Sequence, residues 1–422
     1  MKTDRHGNPH APGVPYARGD FLGATEDDIT KLGHAWRMIE SRVFKGGTDA
    51  VFNFSGLERH LPCPTDDIAL YDDELAPALF GDRLTELGLD HLGGDAARHD
   101  IAVMNRQTAG VLSAMLVLVE PCDTVIGVSA TYSHPCVTRA AARAGADFVD
   151  TAGLADFKAA LAAHDNVAVV AMTRLAVTYD ILSERDIEQI VDLAHRAGAK
   201  VIVDDAGGAR VGPAVFDQPK ILEFGVDVAS TGLDKYGVYG PRVGLMGGAT
   251  DIVKRARALA FEMGLEARPM LYPFVVNTLE QYDPQIVRDL VSSTKDVAEE
   301  LKKRLGNRIS ETPVTAQLLA EDILEVAMER GGADSASVVP YEAVAALAML
   351  LVRDHGILTV HLAGVPPGTS TLLIKFVPPD TLKRFGGAAK FAEAIDTSIT
   401  SLGKIVDNPE ALRELLLGEI AA

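Results

Sequence analysis

The stretch Lys200-Val201-Ile202-Val203-Asp204-Asp205-Ala206-Gly207-Gly208 decides the fold. Val201, Ile202 and Val203 are β-branched and follow one another without a polar alternation, the pattern of a strand covered on both faces. Two carboxylates end the strand and two glycines follow. The same construction recurs on either side of it: Ile101–Met104, Thr124–Val128, a short piece at Asp147–Val149, Val167–Met172 (VAVVAM), Val226–Ser230 and Val243–Met246. Helical patterns lie between these runs at Thr108–Val119, Pro135–Ala144 and Ser183–Ala199. The last of these opens on Ser183-Glu184-Arg185-Asp186, which resembles a capping box. Apolar strands separated by helices predict an α/β fold with a mostly parallel sheet covered on both faces.

Working outward, residues 1 to about 25 read as an extended arm. A helix is predicted over Asp20–Ser41, with Ile29, Leu32, Trp36 and Ile39 on one face. Val43–His60 is Gly-rich and irregular, and Asp66–Glu74 is an acidic loop or helix start. Beyond about residue 250 the composition shifts. Helices are expected at Asp251–Ala267, Glu280–Leu305, Pro340–Val352 and Ala388–Ile405, and strands at Leu358–Leu362 and Leu372–Val377. The expected division is an arm and helix over residues 1–70, a large domain over 71–270 and a smaller C-terminal α+β domain over 271–422.

The chain has 422 residues, 47% of them hydrophobic, enough to bury a large core. Lys and Arg number 40 against 59 Asp and Glu, a net charge of −19, and no basic run interrupts it. A field of that sign repels phosphate backbones, so nucleic acid is not an expected partner. Cys63, Cys122 and Cys136 are an odd set without metal-type spacing and read as reduced thiols. Neither a metal site nor a Ca²⁺ loop is expected. The opening MKTDRHGNPHAPGVPYARGD has no apolar run of the signal-peptide kind. The longest apolar stretches, such as Ala343–Val352, are well short of the roughly 18 residues of a membrane span. The expectation is a soluble, cytoplasmic protein with no membrane partner.

Open α/β sheets bind ligands beyond the carboxyl ends of their strands, so the residues there are the candidates for chemistry. Asn105-Arg106-Gln107-Thr108-Ala109-Gly110 opens a helix and can offer backbone N–H groups to a phosphate, although an ordinary helix start reads the same way. Neither a dinucleotide fingerprint nor a P-loop is present. Thr131-Tyr132-Ser133-His134-Pro135 places aromatic rings at the next strand end, or is a surface turn with a helix-starting proline. The Asp204-Asp205 pair needs a partner if buried, and a protonated heterocyclic nitrogen is one; a turn cap is the alternative. Thr231-Gly232-Leu233-Asp234-Lys235-Tyr236-Gly237 then sets a lysine between two glycine turns, where loss of solvent makes an amine nucleophilic toward aldehydes.

The order of these elements resembles that of fold-type-I pyridoxal 5′-phosphate (PLP) enzymes over roughly residues 90–280. The stretches NRQTAG, VIVDDAGGAR, STGLDKYGVYGPRVGLMGG and Gly264-Leu265-Glu266-Ala267-Arg268-Pro269 are similar to the selenocysteine-synthase-like (seryl-tRNA selenium transferase-like) branch, akin to class-V aminotransferases and cysteine desulfurases. The resemblance implies that Lys235 carries the cofactor as a Schiff base, that Asp204 pairs with its pyridine nitrogen and that His134 stacks on its ring. It also implies that Gln107, Thr108 and Ala109 hold the phosphate with help from Ser230 or Thr231. Arg242, Arg210, Arg106 and Lys375 are the candidates for a substrate anion. Gly232 departs from the Ser or Thr usual three residues before the lysine. Lys375 replaces the small-domain arginine that transaminases use for the substrate carboxylate. The reaction implied is Cα deprotonation of a small amino acid or amino-sugar acid followed by β-elimination or replacement. An aldolase, racemase or aminotransferase using the same residues is the alternative, and a non-catalytic PLP-fold binding protein lies outside both. A homodimer or higher homo-oligomer is implied as well.

Overall fold

The computed structural model describes residues 2–58, 61, 64, 66–363 and 367–418, so Cys63 lies outside the described residues. The chain divides into two compact units, one made of residues 1–57 and 289–422 and the other of residues 58–288. The first begins with helix α1 (Thr25–Gly46) and the two-residue strand β1 (Phe52–Asn53). The second runs through α2 (Leu75–Leu92), β2 (His99–Met104), α3 (Gln107–Leu118), β3 (Thr124–Ser129), α4 (Pro135–Arg143), β4 (Asp147–Ala152), α5 (Gly153–Ala163) and β5 (Val167–Thr173). It continues with α6 (Glu184–Arg196), β6 (Lys200–Asp204), α7 (Gly208–Phe216), β7 (Val228–Gly232), β8 (Gly244–Ala249), α8 (Thr250–Glu262) and α9 (Tyr272–Glu280).

These seven strands form one sheet in the order β2-β8-β7-β6-β5-β3-β4. Strand β8 runs antiparallel to β2 and β7, and the remaining neighbours pair in parallel. Pleating explains the unbroken apolar run of β6. Val201 and Val203 enter the core beneath α5 and α6, while Ile202 enters the core beneath α3, α4 and α8. Helix α6 meets the first core through Ile187, Ile190, Val191 and Ala194, one face of a 3.6-residue repeat. The Ser183 hydroxyl caps it by accepting the Asp186 N–H at 3.1 Å. Register then sets the functional edge: Thr173 lies opposite Asp204, and Asp204 opposite Ser230. Three polar side chains thus stand side by side across adjacent strands, Thr173 and Asp204 at the last position of theirs. The α/β architecture expected from the strand pattern is the one observed.

Helices α2, α5, α7 and α9 of this unit carry no helical signal in the sequence reading. Helix α7 contains Gly208, Gly212 and Pro213, which disfavour helix. The glycines are there for packing, since a Cβ at Gly208 would lie 2.8 Å from Arg174 Cδ and one at Gly212 only 2.4 Å from Arg174 Nη2. Tertiary contact overrides local propensity here.

The other unit continues with α10 (Pro284–Leu305), β9 (Ile309–Glu311), β10 (Thr315–Leu318), α11 (Ala320–Gly331), α12 (Pro340–Leu350), β11 (Ile357–Leu358), α13 (Val360–Ala363), β12 (Leu372–Lys375), α14 (Pro379–Phe385), α15 (Ala388–Gly403) and α16 (Pro409–Leu417). Strands β12, β10 and β9 form an antiparallel sheet, and β1 pairs with β11. Every residue of α12 is buried. Tyr16, Phe21, Leu22 and Phe54 share the α12 core, so the first 57 residues pack with the C-terminal segment instead of standing apart as an arm. The strand expected at Leu358–Leu362 stops at Leu358, because β1 offers it only two partners, and the chain turns into α13.

Helix α1 turns a different face inward from the one its apolar periodicity suggests. Ile29 and Trp36 are 58% and 60% exposed, whereas Asp28, Lys31 and Ala35 are buried. Asp28 accepts from Arg18 at 3.0 Å, from Lys31 at 3.4 Å and from the Tyr341 hydroxyl. An ion pair with these added hydrogen bonds can be held out of water. Among the described residues no helix is long and apolar enough to cross a membrane.

Candidate functional site

The polar row at the sheet edge centres on Asp204, which is 2% exposed. Its Oδ1 accepts the Gln107 side-chain amide at 2.6 Å and the Ala206 N–H at 3.2 Å. Its Oδ2 accepts the Cys136 thiol at 3.2 Å. Burial together with the neighbouring Asp204 charge pushes the Cys136 thiol well above its ordinary range, so it stays protonated and donates. His134 stands alongside with Nδ1 3.7 Å from Asp204 Oδ2. That nitrogen accepts the Cys136 N–H at 3.1 Å as the N-cap of α4, which leaves the ring proton of the neutral form on Nε2.

The loop after β7 carries Lys235. Its base is closed by Leu233 N–H donating to Val243 O at 3.0 Å and Gly240 N–H donating to Leu233 O at 2.9 Å. Lys235 Nζ lies 3.7 Å from Asp234 Oδ1, and Arg242 Nε lies 3.9 Å from the other oxygen of the same buried carboxylate. A Cβ at Gly232 would fall 2.8 Å from Lys235 Cε, so the glycine that replaces the usual Ser or Thr leaves room for the lysine in this position. Tyr236 follows at φ 56°, and its hydroxyl is 2.6 Å from that of Tyr179, itself at φ 66°. Two bulky residues in the left-handed region cost on the order of 1–3 kcal/mol each and persist only where packing over-determines them. Burial pushes the Tyr236 hydroxyl up to about 12, and that of Tyr179 well above its ordinary range, so both stay protonated.

The structure therefore brings Asp204, His134, Gln107 and Ser230 together at adjacent strand ends, with Lys235 on the loop that follows Ser230. Several of the expected roles change. The Gln107 side chain meets Asp204, so only its backbone N–H remains for a phosphate; the first turn of α3 has no side-chain cap, and Thr108 is exposed there. Ala109 N–H already donates to Arg106 O at 2.9 Å. Ser230 donates to Gln107 O at 3.1 Å, and Thr231 accepts Arg210 Nη1 at 2.7 Å, so both hydroxyls point into the protein. Arg210 is fully buried, with Nη2 donating to Ala206 O at 2.6 Å; it braces the fold and is not placed to meet a substrate anion. Arg106 is exposed at the N-cap of α3, and Arg242 stands beside Asp234. Lys375 is buried in the other unit, under Gly56.

Sequence reasoning missed Cys136 and Asp234 as members of the site. Asp234 could have been found as the residue preceding the lysine; Cys136 had no signal, because its tie to Asp204 spans 68 positions. Asp205, the second acid of the pair, points the opposite way. Among the described residues neither of its oxygens has a hydrogen-bond partner, and Arg174 Nη1 faces it at 3.5 Å. Burial pushes its carboxyl up against the pull of Arg174 and Arg210.

The donor atoms of His134, Cys136 and Asp204 lie within 4.8 Å of one another. A cation there would have to displace the α4 cap and deprotonate a thiol held protonated. A group with a cationic ring N–H suits the same place better, since a buried carboxylate at a strand end favours the charged form of such a partner. A phosphate tail would find the uncapped first turn of α3. A Cβ at Gly244 would fall 2.7 Å from the Arg106 carbonyl, so glycine is needed where β8 passes that turn.

The solved structures with this fold include alanine–glyoxylate aminotransferase from Nostoc sp. (TM-score 0.55, 16% identity, 78% of this chain and 88% of that one). Ureidoglycine–glyoxylate aminotransferase from Bacillus subtilis is another (TM-score 0.54, 14% identity, 87% and 97%). At such identities the likeness establishes the fold-type-I architecture alone. No protein-family model matches the chain. Among curated proteins, a UPF0425 pyridoxal phosphate-dependent protein of Methanosphaera stadtmanae is 27% identical over 366 residues, covering 86% of this chain and 92% of its own. The one from Methanothermobacter thermautotrophicus is 30% identical over 396 residues, covering 93% of this chain and 98% of its own. Identity of that extent over nearly both whole chains establishes that this chain belongs to the UPF0425 family of pyridoxal phosphate-dependent proteins.

Proposed function

We propose that PLP is the cofactor of this chain, that Lys235 carries it, and that the enzyme removes the Cα proton of a small amino acid or amino-sugar acid, ending in elimination or replacement at Cβ. The observation that supports this most is the pairing of a donor-caged carboxylate, Asp204, with the Lys235 amine on the loop after the adjacent strand. When bound, PLP supplies an electron sink for negative charge at Cα. The protein supplies the rest. Gln107, Ala206 and Cys136 fix both oxygens of Asp204, which would serve as the acceptor for a ring nitrogen. The α3 N-terminus, through the N–H groups of Gln107 and Thr108, would hold the phosphate. Lys235 would hold the cofactor through Nζ and, as a free amine, would take up the Cα proton there, with the Asp234 carboxylate stabilising the resulting ammonium. Arg242 and Arg106 are the side chains that reach for the substrate carboxylate. Preference for Cβ chemistry rests on the motif resemblance over residues 105–110, 201–210 and 230–248 and on the missing small-domain arginine. We propose a homodimer for the same protein.

The test has two parts. Borohydride reduction and peptide mapping should place the cofactor on Lys235, and label on another lysine refutes the assignment. A panel of D- and L-amino acids should release ammonia, sulfide or pyruvate. Production of a 2-oxo acid only in step with conversion of the cofactor to its amine form would replace elimination by transamination.

A further inference from the structure

The unit of residues 1–57 and 289–422 carries a groove of about 550 Å³, walled by Arg37, Ser41, Arg42 and Lys45 of α1, by Arg353, and on its apolar side by Met38 and Ala50. The α1 residues recur at three- and four-residue spacing and so share one helix face. No carboxylate lines the groove among the described residues. A helix gains nothing from gathering like charges this way, since each such pair opposes it by roughly 0.2–0.5 kcal/mol. Lys45, in the last turn, suits the negative end of the helix dipole, but Arg37 stands two turns earlier.

Part of the wall is fixed in place. Arg42 donates from Nε to Ala50 O at 3.3 Å and from Nη1 to Arg353 O at 2.8 Å, which ties α1 to the two segments across the groove. The Arg353 guanidinium is spent on Asp354, at 2.7 and 3.0 Å. Glu414 acts on His34 and Arg353 from α16. Four cations against those two acids leave a surplus of two positive charges. That surplus sits in a chain whose net charge is −19, so the groove is a local reversal of the field. A surplus of two matches a phosphate dianion. The volume exceeds what phosphate alone would fill and falls within the roughly 300–1,000 Å³ range of small-molecule sites.

We propose that this groove binds a small organic phosphate, with its phosphate group between Arg37, Arg42, Lys45 and the Ser41 hydroxyl and its organic part against Met38 and Ala50. The site is independent of Lys235 and of the reading given to it.

Calorimetric titration of the PLP-saturated protein tests this, because the cofactor then occupies its own phosphate site. The probes are adenosine 5′-monophosphate, inorganic phosphate and adenosine. The expected result is one saturable site for the nucleotide, weaker binding of phosphate and none of adenosine. R37E and K45E should each weaken nucleotide binding about tenfold or more, while the visible spectrum of the cofactor and the melting temperature stay unchanged. No saturable binding at millimolar nucleotide overturns the proposal, as does binding that both charge reversals leave intact. Phosphate binding as tightly as the nucleotide overturns the organic part, and adenosine binding as tightly as the nucleotide overturns the role of charge.

Discussion

A single methyl group at position 110 should force helix α3 away from strand β7. A Cβ on Gly110 would lie 2.4 Å from Ser230 Oγ and 3.1 Å from Ser230 Cβ, with Met104 Cγ next at an ordinary 3.7 Å. Contact between heavy atoms needs about 3.5 Å, so something must move by about 1 Å. Rotating the serine relieves only the first clash, and it breaks the hydrogen bond from Oγ to Gln107 O. G110A should therefore cost about 1–3 kcal/mol, as overpacking of a tight interior does. For a unit of this size that is a melting temperature lower by very roughly 2–10 °C. The shift also moves the first turn of α3, where the Gln107 amide meets Asp204 at 2.6 Å, so cofactor affinity should fall with stability. S230G removes the obstruction at its own cost of about 1–2 kcal/mol, from backbone freedom and the lost hydrogen bond. The double variant should then be no less stable than S230G alone. Urea denaturation and PLP titration on the four proteins close the cycle. Additive losses would refute the claim that glycine is present at 110 for close approach, as would a G110A protein with the stability and cofactor affinity of the parent.

Other outcomes follow from the same geometry. Asp204→Ala should retain cofactor attached to Lys235 yet lose turnover, and a variant of normal rate would end the role assigned to that carboxylate. His91 and His361 are buried and neutral, pushed to about 3 and about 4 by desolvation, with the charge of Arg210 adding to the effect at His91. Unfolded, each takes up a proton below about 6.5. Their contribution to stability is thus full above that pH and is lost as pH falls, toward about 3 for His91 and about 4 for His361, by about 2 kcal/mol each at pH 5. Denaturation of H91N and H361Q at pH 7 and pH 5 should show a smaller loss than the parent, and an equal loss would discard the assignment. Sedimentation at working concentration should show the dimer, and a species of one chain's mass alone would contradict it.

The sequence by itself determined the sheet. Strands covered on both faces need apolar residues at every position, and that demand is written locally in VAVVAM and VIV. Polar residues that end such runs mark the ligand edge for the same reason, since only there can the chain leave the core. What each polar residue does was decided by the tertiary structure. Asp204 and Asp205 are chemically identical neighbours; pleating sends one toward Gln107 and Cys136 and the other toward Arg174. Arg210 and Arg242 are alike in sequence, yet only the first is swallowed by the core. In α1 the apolar stripe of Ile29 and Trp36 faces water, because Asp28 finds Arg18, Lys31 and Tyr341, the last of them 313 positions away. Burial of a charge depends on partners that only the folded chain assembles, and local periodicity carries no record of them.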